Sequence, residues 1–402
     1  MRVGVYFGFG DPKVGGGFTF QHSVSSALAE LAGESRHKFV LLGSPNVVGN
    51  SVSNIEVLSL GSSVLRRHFF GLFPNWVRRP LRQMLFTRYG EARRFLSSGF
   101  DMIWHVGSSC LTMEIPYIFT VFDLQHLVQP YFPEVSVEGE WENRETENNT
   151  VLRRASRIIV STNVGKAEIE RFYQVPPERI VVLPYAAPEF PAATENAGGE
   201  VLIKYGIPCN YLFYPAQFWP QKNHIGLLHA VKYLRQQWDI SLPVVFVGSD
   251  KGNLSYVKEW VVKLGLSDQV HILGFVPWLD LIALYKNALA LTMPTLVGPD
   301  NIPSLEAFKL GCPVITSNLP GFDEQLGNAA LLVDPKDTKQ IAAAIKSLYE
   351  NSVLRNTLVD RGFQKAGKWT WRDYVRGVFK VLDDFEPIRR SWSTNPYSMR
   401  RR

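Results

Sequence analysis

Three stretches of the sequence combine glycine, proline and charge in a way suited to holding an anion. The first is Gly15-Gly16-Gly17, set between a short apolar run at the amino terminus and a periodic segment that begins near Gln21. Glycine lets a ligand approach the backbone closely, and a following helix offers unpaired N–H groups. The spacing is not that of a GxGxxG dinucleotide fingerprint, and no acidic residue follows the second apolar run at Val40–Gly43. The second stretch, Phe213–His224 (FYPAQFWPQKNH), carries Lys222 at the start of a periodic segment, where an ammonium group can meet a diphosphate as a point charge. The third, Pro294–Phe308, brings Pro303 to a helix start that Gly311 closes about two turns later, and puts Glu306 in its first turn. A carboxylate there can interact favourably with the helix dipole, or accept hydrogen bonds from two neighbouring hydroxyls such as those of a ribose.

The elements that must position these stretches follow an alternating pattern. Short apolar runs predict strands near Arg2–Phe7, Lys38–Gly43, Met102–Val106, Tyr117–Val121 and Arg157–Ser161. A second series is expected near Leu212–Tyr214, Pro243–Val247, Val270–Leu273, Ala288–Met293 and Pro313–Thr316. Helical periodicity covers Gln21–Ala32, Arg82–Ser98, Ile225–Gln237, Ser255–Leu264, Leu279–Lys286, Ser304–Leu310, Thr338–Tyr349 and Trp371–Phe385. Strand–helix alternation of this kind gives parallel βαβ units, and two series in 402 residues predict an α/β chain with two Rossmann-like domains. The stretch Pro184–Gly199 loses all period and marks the junction, giving an amino-terminal domain over residues 1–187 and a second over 188–379. Residues 380–402 are expected to pack back on the first domain. The glutamate-rich stretch Glu134–Glu147 reads as a solvated loop.

Composition sets outer limits. Hydrophobic residues make up 46% and charged residues 20%, the profile of a globular chain with a full core. The first residues read as a buried strand rather than a leader, and no apolar run approaches the ~18 residues of a spanning helix. Cys110, Cys209 and Cys312 lie far apart and show no ligand spacing, which suits reduced thiols in a cytoplasm. The net charge of +6 is local in origin. Residues 61–100 hold eight arginines (66, 67, 78, 79, 82, 88, 93 and 94) against Glu91, while the rest of the chain is near neutral. Phe69-Phe70-Gly71-Leu72-Phe73-Pro74-Asn75-Trp76 lies between two of those arginine pairs, a combination suited to an anionic membrane surface. It matches no recognised nucleic-acid module, so nucleic acid is not an expected partner.

Taken together, FYPAQFWPQKNH, Leu273–Pro277 (LGFVP) and Asn301–Ile315 (NIPSLEAFKLGCPVI) resemble the retaining glycosyltransferases of family 4, the glycosyl transferases group 1, whose fold is GT-B: two Rossmann-like domains about an interdomain cleft. The similarity runs through nearly all of the second domain and more loosely through the first. It is nearest to a bacterial surface-polysaccharide subset of mannosyl- and rhamnosyltransferases. The resemblance implies a donor site built by Gly16, Gly17, Gln217, Lys222, Asn223, Phe275, Val276, Asn301, Ile302, Pro303, Leu305 and Glu306. Lys222 would hold the diphosphate, main chain at Phe275 and Val276 would meet the base, and Glu306 would bind the ribose. Two positions depart from the family. Gly298 stands where a first glutamate would touch the transferred sugar, with Asp300 as its expected substitute, and Gln217 stands where an arginine commonly precedes the lysine. In Phe119–His126 the family's cleft-facing histidine is replaced by Phe122. His126 is then the leading catalytic candidate, His105 the second, and Asp123 could orient an acceptor hydroxyl.

The implied activity is transfer of a mannose- or rhamnose-type hexose, with retention, from a GDP-, dTDP- or UDP-linked donor to a glycan or lipid-linked acceptor. The chain would act in the cytoplasm, peripherally on the inner face of a membrane. With no Asp-x-Asp motif and no His/Cys cluster in the sequence, neither a metal nor another cofactor is expected. The alternatives are a non-catalytic scaffold of the same fold and a nucleotide-sugar epimerase, which would act on the donor without an acceptor.

Overall fold

The computed structural model describes residues 1–8, 16–43, 55–59, 98–190, 199–298 and 301–392. Seven parallel strands form the first sheet: β1 (Arg2–Tyr6), β2 (Lys38–Gly43), β3 (Glu56–Ser59), β4 (Met102–His105), β5 (Tyr117–Thr120), β6 (Arg157–Val160) and β7 (Ile180–Val182), in spatial order β3-β2-β1-β4-β5-β6-β7. Six more form the second: β8 (Leu212–Pro215), β9 (Val244–Val247), β10 (Val270–Gly274), β11 (Ala290–Met293), β12 (Val314–Ser317) and β13 (Leu331–Val333), in order β10-β9-β8-β11-β12-β13. All pairings are parallel. The inner strands are apolar and buried throughout, as expected of sheets covered by helices on both faces.

Every strand expected from the sequence is present to within two residues. The missed strands, β3, β7 and β13, are three or four residues long, too short to show a period. The helices that position the site are α1 (Gly16–Leu31), α2 (Gln125–Val128), α3 (Pro133–Ser136), α4 (Glu140–Arg154), α5 (Asn163–Tyr173), α6 (His224–Trp238), α7 (Trp278–Asn287), α8 (Ile302–Lys309), α9 (Phe322–Leu326) and α10 (Trp371–Arg389). Two corrections arise here. Helix α1 begins at Gly16 rather than near Gln21, so two glycines of the triplet are its first turn. The glutamate-rich stretch is not a loop but α3 and the first half of α4, with Glu140 and Glu142 in the first turn of α4 and the Glu140–Arg144 pair closed at 2.9 Å. Most of the expected helix Arg82–Ser98, with the whole arginine and aromatic segment, lies outside the described residues.

Helix α10 crosses back from the second sheet onto α1. A capping box between Thr370 and Asp373 starts it, and Trp371, Tyr374, Val375, Val378 and Leu382 are buried along one face. Phe20 meets Trp371 and Tyr374 at 5.3 and 5.6 Å, and Phe39 stacks on Phe379 at 5.2 Å. The contact therefore begins at Trp371, earlier than the residue-380 boundary expected from the sequence. Each such ring or aliphatic chain, once buried, contributes roughly 1.5–3 kcal/mol. The exposed pairs alongside, Arg372–Glu30 at 2.6 Å and Arg376–Glu34 at 3.3 Å, are screened by solvent and contribute little. Packing, not charge, fastens this helix. The Arg389–Asp101 pair at 2.9 Å, largely buried, fixes its far end.

Candidate active site

In each sheet the strand order reverses beside its first strand, at β1/β4 and at β8/β11. The loops leaving those strands diverge there and open a crevice at the carboxyl ends. The two crevices meet in one cavity of about 770 Å³. Its first-domain wall includes Gly16, Gly17, His22, Phe122 and Tyr185, and its second-domain wall includes Gln217, Lys222, Phe275, Val276, Asn301, Ile302, Pro303 and Glu306. The walls come close at Gly16, where a Cβ would meet Ile302 at 3.7 Å.

Lys222 is delivered by a turn with a stiff foundation. Asn223, in the left-handed region at φ 54°, caps α6 by accepting from Gly226 N, and its Nδ2 donates to the carbonyls of Pro294 and Pro335, both at 2.9 Å. Asn223 thus joins three loops and does not line the cavity. Its role is to hold the turn. Beneath it His224 is sandwiched between Tyr214 and Phe218 at 4.7 and 4.6 Å, and burial, with the Lys222 charge second, pushes its pKa down to about 3. A neutral ring supports the turn. Gln217 lines the cavity with both amide atoms engaged, accepting from Trp219 Nε1 at 3.0 Å and donating to Ser249 Oγ at 3.3 Å. Gly248 allows this loop to lie against its neighbour, since a Cβ there would sit 2.2 Å from the carbonyl oxygen of Ala216.

Helix α8 points its first turn at the same cavity, with Asn301 as N-cap and Pro303 at its second position. The Asn301 N–H donates to Gln325 Oε1 at 2.8 Å. Three buried polar atoms near this helix start, Asn301 Nδ2, Ser304 Oγ and Gln325 Nε2, have no hydrogen-bond partner among the described residues. Glu306 is 6% exposed and accepts from the Tyr285 hydroxyl at 2.7 Å. Burial raises its pKa from 4.5 to about 7, with the Tyr285 hydrogen bond opposing. Leu305, on the other side of the helix, is in the core and does not line the cavity.

Of the three expected catalytic residues, none is seen in the cavity wall. Asp300 lies outside the described residues. His126 is wholly buried in α2, with Nε2 3.4 Å from both the Tyr173 hydroxyl and Glu145 Oε2. Desolvation, followed by the Arg144 charge, lowers its pKa. Asp123 is held by the Gln125 N–H at 3.0 Å and Arg144 Nη1 at 3.1 Å, and lines a small neighbouring crevice with Glu168. His105, the last residue of β4, is buried among Tyr6, Tyr117 and Phe119. Phe122 does face the cavity, packed on Phe20 at 5.3 Å. The family's histidine position is therefore in the wall but apolar here. The imidazole that lines the wall is His22, one turn into α1 and exposed, which sequence reading missed; its place after Gly16-Gly17 on a helix was the available signal. Gly298 has φ 120°, a state that a glutamate rarely adopts.

Residues 208–365 match the family model described as glycosyl transferases group 1. Over that range the second domain is similar to the glycosyl transferases group 1. The O-antigen chain mannosyltransferase B of Escherichia coli is 28% identical over 228 residues, 55% of this chain and 59% of that protein. The O-antigen chain mannosyltransferase RfbU of Salmonella typhimurium is 28% identical over 227 residues, 54% of this chain and 60% of that protein. The matches thus span about three fifths of the length of these relatives. Among solved structures, Anabaena HepE in complex with UDP and glucose superposes with TM-score 0.67 at 15% identity, covering 96% of this chain and all of that one. A glycosyltransferase from Rickettsia africae gives 0.66 at 15% identity, covering 95% and 98%. The fold is GT-B. The matched range contains Lys222, the α8 turn and Glu306.

Away from the cavity, His37, Asp383 and Glu386 bring ligand atoms within 4.8 Å of one another. Arg36 Nε lies 2.6 Å from Asp383 and 3.0 Å from Glu386, so both carboxylates already face a cation.

The raised pKa of Glu306 has a testable consequence. The folded state favours the protonated form, so this contribution to stability is fully present below pH 4.5 and is lost as pH rises through about 7. Glu306→Gln removes the titration while keeping the shape. Between pH 4.5 and pH 8, the stability of wild type minus that of Glu306→Gln should fall by on the order of 2–3 kcal/mol, read by denaturant unfolding. A difference that stays constant across that range would contradict the assignment.

Proposed function

We propose that this chain transfers a mannose- or rhamnose-type hexose from a nucleotide-sugar donor to a glycan or lipid-linked acceptor, with retention of anomeric configuration. The observation that carries the reading is the interdomain cavity, in which the buried Glu306, Lys222 and the opening turn of α8 line one wall. A carboxylate suits two vicinal hydroxyls, an ammonium suits a diphosphate, and helix-start amides suit the anion between them. In this reading residues 1–187, with the returning helix, form the acceptor side, and residues 188–379 the donor side. The first-domain wall offers Thr19, His22 and Ser23 to an acceptor hydroxyl.

In the proposed step the bond from the sugar C1 to the diphosphate oxygen breaks, and its electron pair leaves with the nucleoside diphosphate. The acceptor oxygen bonds to C1 on the same face and gives its proton to the departing phosphate. Lys222 and the amides stabilise the charge that grows on the leaving group, a preorganised electrostatic effect that is commonly the largest catalytic contribution. The mannosyltransferases among the relatives favour a mannose donor. HepE, described with UDP and glucose, keeps uracil beside guanine and thymine as the possible base.

Thermal shift with UDP-, GDP- and dTDP-sugars tests the donor site. One nucleotide series should stabilise the wild type, by ~2.7 kcal/mol at a hundredfold excess over its dissociation constant, and Glu306→Ala should lose that stabilisation. No shift with any series, or an undiminished shift in the variant, counts against the site. The anomeric configuration of the product, assigned by NMR coupling constants, should match that of the donor; inversion would exclude the mechanism.

The reading also places the protein peripherally on the inner face of a membrane, through the arginine and aromatic segment between residues 61 and 100. Among the described residues no helix is long and apolar enough to cross a membrane. Each basic residue near an anionic surface contributes about 1 kcal/mol, and salt screens that attraction. Cosedimentation with phosphatidylglycerol vesicles should therefore be strong at low salt and fall at high salt. Recovery of all the protein in the supernatant at low salt would rule this placement out.

A further inference from the structure

The turn that presents Lys222 belongs to the second domain, yet part of its support comes from the first. The main-chain N–H of Gln221 donates to Oε1 of Glu134, in α3, at 3.1 Å. The Gln221 carbonyl accepts from Leu296 N at 2.8 Å and from Thr295 Oγ1 at 3.2 Å. Leu296 in turn offers its carbonyl to Nε2 of Gln129, just beyond α2, at 3.0 Å. The peptide groups on either side of this loop pair are thus clamped, and two of the four bonds cross between domains. The next residue is Lys222, in the cavity wall.

Each cross-domain side chain also carries a cost. Glu134 Oε2 and Gln129 Oε1 are buried and have no hydrogen-bond partner among the described residues. A buried acceptor left unpaired is destabilising, more so on a carboxylate. A contact that served only to join the domains could be made on the exposed rim. Glu324 does so, accepting from the N–H groups of Asn163 and Val164 at 2.8 and 3.3 Å at the start of α5.

We infer that Glu134 and Gln129 are positioning residues for the donor. From the acceptor-side domain, Glu134 through the Gln221 N–H and Gln129 through Leu296, they hold the main chain at Gln221 in the register that brings the next residue, Lys222, to a diphosphate. Donor affinity then depends on the apposition of the two domains, so that the diphosphate is bound firmly only when the acceptor-side wall is in place. This rests on the donor site proposed above.

The test compares the full chain with Glu134→Ala, Glu134→Gln and Gln129→Ala. Affinity is measured by calorimetry for a nucleoside diphosphate and for the matching nucleoside. Glu134→Ala should weaken the diphosphate about tenfold, the loss expected for one hydrogen bond to a charged group. Affinity for the nucleoside should change less than about twofold, because the base and ribose contacts are elsewhere on the wall. Glu134→Gln, whose amide oxygen can accept the same bond, should recover most of the affinity, and Gln129→Ala should reproduce the diphosphate-selective loss. Diphosphate affinity unchanged in both alanine variants overturns the inference, as does an equal loss for diphosphate and nucleoside. A wild type that binds neither ligand overturns the donor site itself, and this inference with it.

Discussion

The site depends on one constraint, the reversal of strand order beside β1 and beside β8. A parallel sheet wound outward in both directions from an inner strand must leave a gap between the loops at that strand's carboxyl end. Here two such gaps face each other, so the residues that matter come from loops far apart in the chain. The packing of α10 on α1 by Phe20, Trp371 and Tyr374, and on β2 by Phe379 against Phe39, keeps the two halves joined, because it returns the chain from the second sheet to the first. Close backbone approach at Gly248 and the three-way anchor at Asn223 then hold the second-domain loops that place Lys222.

Burial divides the charges of the cavity into two kinds. Glu306 is enclosed, has one strong partner in Tyr285, and holds a proton more readily than an ordinary carboxylate. A ligand that donates hydrogen bonds to it would favour the ionised form, so binding there is coupled to loss of that proton. Lys222 sits in the cavity wall, where it can adjust to a mobile anion. Asn301 Nδ2, Ser304 Oγ and Gln325 Nε2, buried and unpaired among the described residues, lie around the start of the same helix. Polar atoms left in that condition are costly for a fold alone, and reasonable where a polar ligand completes them.

Much of the fold was legible from sequence because its inner strands are continuous apolar runs bounded by turn residues. The short edge strands were not, since three or four residues carry too little pattern. Helix α4 was missed for a different reason: its mean polarity is that of a loop, only Val151 and Leu152 are buried, and i,i+4 pairing does part of what an apolar stripe does elsewhere. In the second domain, the motif positions Gln217, Lys222, Phe275, Asn301, Pro303 and Glu306 do line the cavity. Asn223 and Leu305 lie beside them in sequence but face the scaffold, a distinction that depends on side-chain direction and cannot be read from spacing. The first-domain residues were least legible. His126 follows Phe122 by only four residues, yet α2 turns it inward beneath Tyr173, whereas His22 reaches the cavity from a helix.

The central claim is that a nucleoside diphosphate occupies the second-domain wall of the cavity. Amide hydrogen exchange with and without UDP, GDP and dTDP tests it most directly, because it reads location as well as binding. The account predicts that one of the three slows exchange in the loop after β8, in the Phe275–Trp278 stretch and at the start of α8, with the outer strands unaffected. Protection concentrated elsewhere, or none with any of the three, would contradict it.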